Sequence, residues 1–192
     1  MDEKLQRLYF ECIEELKKIN INVLNNKSIG KVDICLAKRN TKRYGCCKQE
    51  DGDKNYCYKI RKKGKTFIHY NRFKKHHIEI SKWVMELNDD IIKNTIIHEL
   101  IHCFPGCNNH GKEFKVYANY INEKLGYTIS RLGNKEEDYK NSNIEYTENS
   151  NLYRYAIICQ NCGNVYYRQR LKKDFLRKYR CGICEGKLKL II

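Results

Sequence analysis

Two histidines flank a glutamate in the run His98-Glu99-Leu100-Ile101-His102. On a helix, residues four positions apart project from the same face, so both imidazoles can reach one metal ion, and zinc suits this donor set. From its position Glu99 can take a proton from a metal-bound water and pass it to a leaving amine. Because zinc makes hydroxide available near neutral pH, the pattern predicts zinc-dependent hydrolysis with Glu99 as general base.

A third protein ligand is expected, because a catalytic zinc usually has three and leaves one position open for water. The favoured residue is His110, which a loop containing proline and glycine would bring back at the start of the next helix. Glu113 and Cys107 remain alternatives, although a thiolate would make the metal less Lewis-acidic. We therefore expect His98, His102 and His110 to hold a catalytic zinc.

The histidine pair has a second interpretation, in which the two side chains serve only packing or the protein surface. Isoleucines and leucines surround the motif, at Ile96, Ile97, Leu100 and Ile101, and predict that its helix is buried. Burying two imidazoles and a carboxylate without a shared partner is costly. The metal site is therefore the favoured interpretation.

Two CxxC pairs stand near the carboxyl end, Cys159-Gln160-Asn161-Cys162 and Cys181-Gly182-Ile183-Cys184. Their separation matches that of a structural four-cysteine zinc site. Four sulfur ligands leave no open position, so this second zinc should not catalyse. A segment this short buries little apolar surface, and metal binding would supply on the order of 10 kcal/mol of its stability.

The same segment is rich in basic side chains with tyrosines between them. The residues predicted to contact nucleic acid are Arg168, Arg170, Lys172, Lys173, Arg177, Lys178 and Arg180. Cations can neutralise phosphates while aromatic rings stack on exposed bases. The alternative is a solvated ribbon that only braces the rest of the protein. A second basic stretch, Arg61 to His77, is either a charged hairpin loop or another nucleic-acid contact.

The composition limits the classes of protein that remain. The chain has 192 residues, of which 41% are hydrophobic, and a formal net charge of +15. Such a charge attracts polyanions, of which DNA is the favoured partner and an anionic membrane surface the weaker one. The first residues carry acids without a following apolar segment, so no secretory signal is expected. With an odd number of cysteines, eleven, the chain is expected in the reducing cytoplasm.

Hydrophobic periodicity predicts an α+β architecture. Helices are expected over residues 3–19, from Asp89 or Asp90 as cap to about His102, and from Gly111 to Leu125, where Gly126 ends the helix. Strands are expected at 32–36, 56–60 and 78–80, in a small antiparallel or mixed sheet. An acidic segment at 133–150 is predicted to be a linker between residues 1–132 and a zinc-ribbon module at 151–192.

The run Thr95 to His102, followed by His110-Gly111-Lys112-Glu113-Phe114, resembles the SprT-like metallopeptidases, whose eukaryotic relatives include Spartan. The Arg43-Tyr44-Gly45 and Ile78-Glu79-Ile80-Ser81 segments are placed as in that family. The resemblance covers most of residues 1–130 and, more loosely, the terminal module. It implies a zincin-like domain with the zinc ligands and general base named above. It also implies a protease that degrades proteins trapped covalently on DNA.

Three functions are therefore considered. The first is a DNA-associated zinc protease, which Glu99 favours because a purely structural zinc site has no use for a carboxylate there. The second is a non-catalytic zinc protein that binds nucleic acid. The third is a general or regulatory peptidase whose basic surface selects acidic proteins without the help of DNA.

Overall fold

The computed structural model describes residues 2–24, 26–39, 42–62, 64–146 and 154–191. The chain divides into two compact units, Met1–Glu145 and Tyr146–Ile192. Within the described ranges, no helix combines the length and the apolar character that crossing a bilayer requires.

Five strands belong to the first unit: β1 (Lys31–Leu36), β2 (Gly45–Gly52), β3 (Cys57–Lys62), β4 (Lys65–Tyr70) and β5 (Phe73–Ile80). One sheet has the order β1-β5-β2, and β5 pairs parallel to β1 and antiparallel to β2. The mixed sheet expected from the alternating segments is therefore present. Strands β3 and β4 form a separate antiparallel hairpin.

Four helices complete the first unit: α1 (Glu3–Lys18), α2 (Asp89–Ile101), α3 (Lys112–Leu125) and α4 (Lys135–Asn141). The apolar stripe of α1 is buried, as its spacing predicts, at Leu5, Leu8, Tyr9, Cys12, Ile13 and Leu16. Helix α3 ends at Gly126, whose φ of 74° lies in the left-handed region that favours glycine.

The cap of α2 differs from the sequence prediction. The side chain of Asn88, rather than Asp89 or Asp90, accepts the Ile91 N–H at 3.0 Å. Asp89 instead lies in the first turn and forms an ion pair with Arg7. An uncharged amide thus caps the helix, while the two carboxylates stand where the helix dipole favours negative charge.

Within the segment at 133–150 that the sequence predicts to be a linker, residues 135–141 form helix α4. The Tyr139 ring stacks on Trp83 with centroids 5.9 Å apart, and the Tyr44 hydroxyl donates a hydrogen bond to Asp138. The segment therefore packs against the first unit, through contacts that its polar composition does not reveal. Residues 147–150 of the predicted linker lie outside the described ranges.

The second unit contains β6 (Tyr155–Cys159), β7 (Val165–Arg168), the short helix α5 (Phe175–Lys178) and β8 (Leu188–Leu190). Its antiparallel sheet has the order β7-β6-β8. Ile157 and Cys159 of the central strand are buried. The α+β class is confirmed, with small sheets, several helices and a four-cysteine cluster near the carboxyl end.

Candidate metal centre and active site

Three imidazoles converge where α2 ends and α3 begins. His98 and His102 lie one turn apart at the end of α2, and the following loop returns His110 to them. The Nε2 atom of His102 lies 3.3 Å from those of both His98 and His110, and the last two are 3.0 Å apart. Nitrogens bound tetrahedrally to zinc at about 2.0–2.1 Å stand about 3.3 Å apart. The arrangement therefore fits a single zinc ion.

Hydrogen bonds and packing orient these rings. Nδ1 of His102 donates to the Cys107 carbonyl at 2.5 Å, and the His98 ring donates to the Ser130 carbonyl. A carbonyl only accepts, so each bond fixes which ring nitrogen carries the proton and leaves the other able to bind metal. The buried Phe114 ring contacts all three imidazoles, at centroid distances of 4.7 to 4.9 Å.

The surroundings of the triad favour neutral imidazoles. Burial, together with neighbouring His102 and His110, lowers the pKa of His98 to about 3. Burial also lowers the pKa values of His102 and His110. Because only a neutral imidazole binds a metal, all three rings are held in the form that can act as ligand.

Glu99 lies beside the triad with its carboxyl group against β2. The residue is only 6% exposed, and burial raises the pKa of the Glu99 carboxyl to about 7, although the Cys47 N–H and the charge of Arg43 oppose the rise. A Cβ built on Gly45 would lie 2.8 Å from Cγ and Oε1 of Glu99. The Glu99 carboxyl group therefore occupies space that is available because Gly45 has no side chain. A pKa near 7 suits a group that must take up and release protons.

The triad and Glu99 line an open cleft of about 1180 Å³. The lining includes the start of β2 and residues between 128 and 141, some of which belong to α4. Arg43, Arg131 and Lys135 contribute positive charge, while Glu137 and Asp138 contribute negative charge. A cleft of this size can admit an extended peptide segment rather than only a small molecule.

The alternatives for the third ligand lie elsewhere. Cys107 is buried and contributes its backbone carbonyl to His102, and Glu113 is exposed on the first turn of α3. Neither belongs to the group of metal-binding atoms that includes His110. The structure therefore places the predicted His98, His102 and His110 together.

Cys159, Cys162, Cys181 and Cys184 form the second candidate group in the described part of the chain. The Sγ atoms of Cys159 and Cys184, and those of Cys162 and Cys181, are 3.5 Å apart. Sulfurs bound tetrahedrally to zinc at about 2.3 Å stand about 3.8 Å apart, so a small expansion admits the ion. A hydrogen bond with the Tyr166 hydroxyl lowers the pKa of Cys181 to about 6, which favours the ligating thiolate.

All seven basic side chains predicted to contact nucleic acid are exposed: Arg168, Arg170, Lys172, Lys173, Arg177, Lys178 and Arg180. Three of them have protein partners. Lys178 pairs with Asp174 at 2.5 Å, Arg180 donates to nearby backbone carbonyls at 3.1 Å, and the Arg168 guanidinium lies 5.9 Å from the centroid of the Phe175 ring. Tyr167 and Tyr179 are 57% and 53% exposed, and the Tyr179 ring stacks on Phe175 with centroids 4.7 Å apart.

The fold and site together define an α+β chain with a three-histidine and a four-cysteine candidate metal group. The SprT-like family model matches residues 13–147, which contain the triad and end before the cysteine group. The chain therefore belongs to the SprT-like family.

Curated relatives carry the same name. "Protein SprT-like" of Lactococcus lactis subsp. lactis is 31% identical over 117 residues, covering 58% of this chain and 65% of that protein. The Oceanobacillus iheyensis protein is 33% identical over 115 residues, covering 57% of this chain and 65% of its own. "Protein SprT-like" of Streptococcus agalactiae serotype III is 32% identical over 118 residues, which cover 58% of this chain and 65% of that protein. The matches thus span just under two thirds of these relatives' lengths. No solved structure matches significantly.

Three contributors to the site escaped the sequence reasoning. Phe114 belongs to the run that resembles the SprT-like family, which does not reveal its contact with the imidazoles, and the Ser130 carbonyl lies on an irregular segment without a sequence signal. Gly45 stands in one of the segments that resemble the SprT-like family, which gave no hint of its contact with Glu99. Each of these three residues contacts at least one partner that is distant in the sequence, so no local pattern reveals the contact.

Proposed function

We propose that this protein is a zinc-dependent metalloprotease of the SprT-like type that acts on DNA-associated or DNA-crosslinked proteins. The observation that carries the proposal is the Glu99 carboxyl group, buried beside three converging imidazoles in an open cleft. In this proposal residues 1–132 are the core of a zincin-like domain, with α4 adding to the cleft wall. The four-cysteine module is a structural zinc ribbon.

The mechanism assigns one chemical role to each group. His98, His102 and His110 would hold a zinc ion, which supplies Lewis acidity and a bound water of lowered pKa. The Glu99 carboxylate accepts a proton from the attacking water and then donates it to the departing amine. The Cys47 N–H, which bonds the Glu99 carboxyl, stabilises its ionised form during this exchange.

Strand β2 supports a peptide as substrate. It pairs with β5 on one side only and is an edge strand within the described sheet. Its residues from Gly45 to Cys47, together with Gln49, line the cleft beside Glu99. An exposed strand edge can bind an extended peptide by backbone hydrogen bonds, which would hold a scissile bond near the triad.

Exposed basic and aromatic side chains on the second unit support DNA as the partner that selects substrates. Lys172, Lys173 and the ring of Tyr167 are all open to solvent. Phosphates could be neutralised by the lysines, and binding should then weaken with rising salt. Recruitment of the protease to DNA would raise the local concentration of DNA-bound proteins at the cleft.

The decisive experiment compares Glu99→Gln with the wild type on a protein crosslinked to DNA. We expect cleavage to fall by about 10²- to 10⁴-fold, because the amide cannot accept the proton. Glu113→Gln is the matched control, since it removes an exposed carboxylate close to the site and should leave the rate unchanged. Equal cleavage by Glu99→Gln and wild type would refute the mechanism.

The two alternatives predict different results in the same assay. A non-catalytic nucleic-acid-binding protein would bind DNA equally in both forms and cleave nothing. A general peptidase would cleave free protein as fast as DNA-bound protein, and Lys172→Ala/Lys173→Ala would not alter its rate. We expect DNA to accelerate cleavage in the wild type and this double substitution to reduce the acceleration.

A further inference from the structure

The β3–β4 hairpin exposes a row of apolar side chains on one face. Tyr58 pairs with His69 across the hairpin and Ile60 pairs with Phe67, and residues directly opposite share a face. The side chains of Tyr58, Ile60 and Phe67 are 48%, 40% and 47% exposed. We call these four residues the Tyr58 face. Exposed rings grouped on one side of a ribbon indicate a binding surface rather than a packing face.

The hairpin is also strongly basic. Between Cys57 and Tyr70 the sequence contains five lysines and arginines and no acidic residue. Lys59 and Arg61 project to the side opposite the Tyr58 face, and both are exposed, as is Lys65 near the turn. Within the described part of the chain, the side chains of these three residues form no ion pair.

Lysines on the neighbouring sheet behave differently. Lys48 forms an ion pair with Glu79 at 2.6 Å, and Lys31 forms one with Asp33 at 3.0 Å. The positive charge of the main sheet is therefore partly neutralised, whereas that of the hairpin remains available to an anion. A partner that carries closely spaced negative charges would bind here in preference to the sheet.

The combination of free cations and exposed rings selects single-stranded nucleic acid. Tyr58 and Phe67 are diagonal neighbours, and the Cα atoms of such a pair lie about 7–8 Å apart. Because stacked bases are about 3.4 Å apart along a strand, bases held on these two rings would not stack directly on each other. A duplex does not present unstacked base faces, whereas a single strand does.

We propose that the β3–β4 hairpin is a binding surface for single-stranded nucleic acid. Bases stack on Tyr58 and Phe67, while Lys65, on the same side of the hairpin, neutralises a phosphate. Lys59 and Arg61, on the opposite side, add to the positive potential that attracts the strand. The proposal shares with the proposed function only the premise that nucleic acid is a partner. It requires neither catalysis by Glu99 nor contacts from the terminal module, because the surface lies wholly within the first unit.

The test uses the full-length, zinc-loaded Glu99→Gln protein and measures fluorescence anisotropy of a labelled oligothymidine. Tyr58→Ala/Phe67→Ala should weaken binding by roughly 5- to 150-fold for each base that loses its ring. Tyr58→Phe retains a ring and should bind as the parent does. Phe10→Ala is the matched control, since it removes an aromatic ring that is 54% exposed on α1 and should not alter binding.

A salt titration tests the cations separately. Each phosphate contact on a single strand contributes about −0.7 to the slope of log binding constant against log salt. Lys65→Gln should therefore make the slope less negative by about 0.7. An unchanged slope overturns the assignment of this side chain to a phosphate.

Three results would overturn the proposal as a whole. One is oligothymidine binding that does not change in Tyr58→Ala/Phe67→Ala. Another is that a duplex of equal length binds the parent protein as tightly as oligothymidine does, and that Tyr58→Ala/Phe67→Ala weakens duplex binding by the same factor. The third is a hairpin-dependent interaction with phosphatidylserine vesicles without one with oligothymidine. Cleavage of a DNA-crosslinked protein by the form with intact Glu99 is measured in parallel. It tests the proposed function, and its outcome does not depend on these three binding results.

Discussion

Phe114 supports the candidate metal centre without offering an atom that binds metal. Its buried ring lies 4.7 to 4.9 Å from each of the three imidazoles, measured between centroids. Such packing restricts rotation of the ligands and excludes water from one side of them. Exclusion of water is also the main cause of the lowered pKa of His98. The ligands are thus arranged for a metal by packing as well as by their spacing in the sequence.

Removal of one imidazole should remove one metal ion. We expect His98→Ala to reduce the zinc content from about two ions per chain to one, because two protein ligands hold zinc weakly. Elemental analysis of dialysed protein measures the content directly. Glu113→Gln should retain two ions, and a loss of zinc in that variant would show that Glu113, rather than His110, completes the site.

Gly45 leaves space for the carboxyl group of Glu99, the proposed general base. A methyl group at this position would lie 2.8 Å from Cγ and Oε1 of Glu99, closer than atoms in contact can approach. Gly45→Ala should therefore displace the carboxyl group and lower kcat by roughly 10²-fold while the zinc content stays at two. Peptidase kinetics and zinc analysis on the same preparation test this expectation.

Gly182→Ala is the control for that substitution. No atom lies within 4 Å of a Cβ built on Gly182, so the added methyl group should be tolerated without loss of activity. Full activity in Gly45→Ala would mean that the Glu99 carboxyl does not need its observed position.

Strand β5 carries a buried histidine that makes the stability of its sheet depend on pH. The His76 side chain is fully buried, with Nδ1 2.7 Å from the Ile29 carbonyl. Burial lowers the pKa of His76, so the unfolded chain takes up a proton at a higher pH than the folded one. The contribution of His76 to the free energy of unfolding is fully present above about pH 6.5. At lower pH this contribution decreases, by up to about 1.4 kcal/mol per pH unit.

A variant isolates this contribution. His76→Asn keeps a donor near the Ile29 carbonyl but cannot be protonated in this range. Between about pH 7.5 and 5.5, the urea midpoint should fall less in the variant than in the wild type. The triad histidines add their own acid sensitivity to both proteins, so only the difference between the two falls is diagnostic. Equal decreases of the urea midpoint in the two proteins would show that the pKa of His76 is the same in the folded and unfolded chain.

The predictability of an element depended on where its partners lie in the sequence. The spacing of apolar residues along the chain predicts helices α1 and α3, whose buried faces it defines. Alternation predicts only residues 78–80 of β5, because residues 73–77 belong to a basic stretch that does not indicate a strand. Helix α4 was missed because its residues are polar and its packing depends on distant Trp83 and Tyr44. Tertiary contacts of this kind leave no periodic signal.

The same distinction applies to the site. The three histidines lie close in sequence, and their spacing on and after α2 was enough to predict that they meet. The pKa of Glu99 near 7 was not predictable, because it depends on burial beneath β2. Spacing also predicts the four-cysteine group, because two CxxC pairs at this separation are typical of a four-cysteine metal site.

At the scale of the whole molecule, the two units differ in how they can be stabilised. The first has an extensive core that includes Leu8, Ile78, Ile96 and Leu100, all fully buried. In the described part of the second unit, the buried hydrophobic residues are Ala156, Ile157, Cys159 and Cys181, two of which are candidate zinc ligands. We therefore expect metal to matter far more for folding of the second unit than of the first.

Cys181→Ser tests this expectation. The substitution should lower the zinc content by one ion and make residues beyond Tyr146 sensitive to trypsin, whereas the first unit should remain resistant. Limited proteolysis with mass spectrometry identifies the cleaved segment. Hydrolysis of an unstructured substrate such as casein should persist. Unfolding of both units together would contradict their division at this point.

All three imidazoles come from one short piece of chain, His98 to His110, whereas the setting of Glu99 requires Gly45 and Cys47 from β2. Contacts between neighbours in sequence cost little loop-closure entropy and form early, while pairing with a remote strand comes later. During folding or synthesis, the three imidazoles can therefore meet before the Glu99 carboxyl group reaches its observed position. Under the proposed function, a newly made molecule would bind zinc before it could hydrolyse a peptide bond.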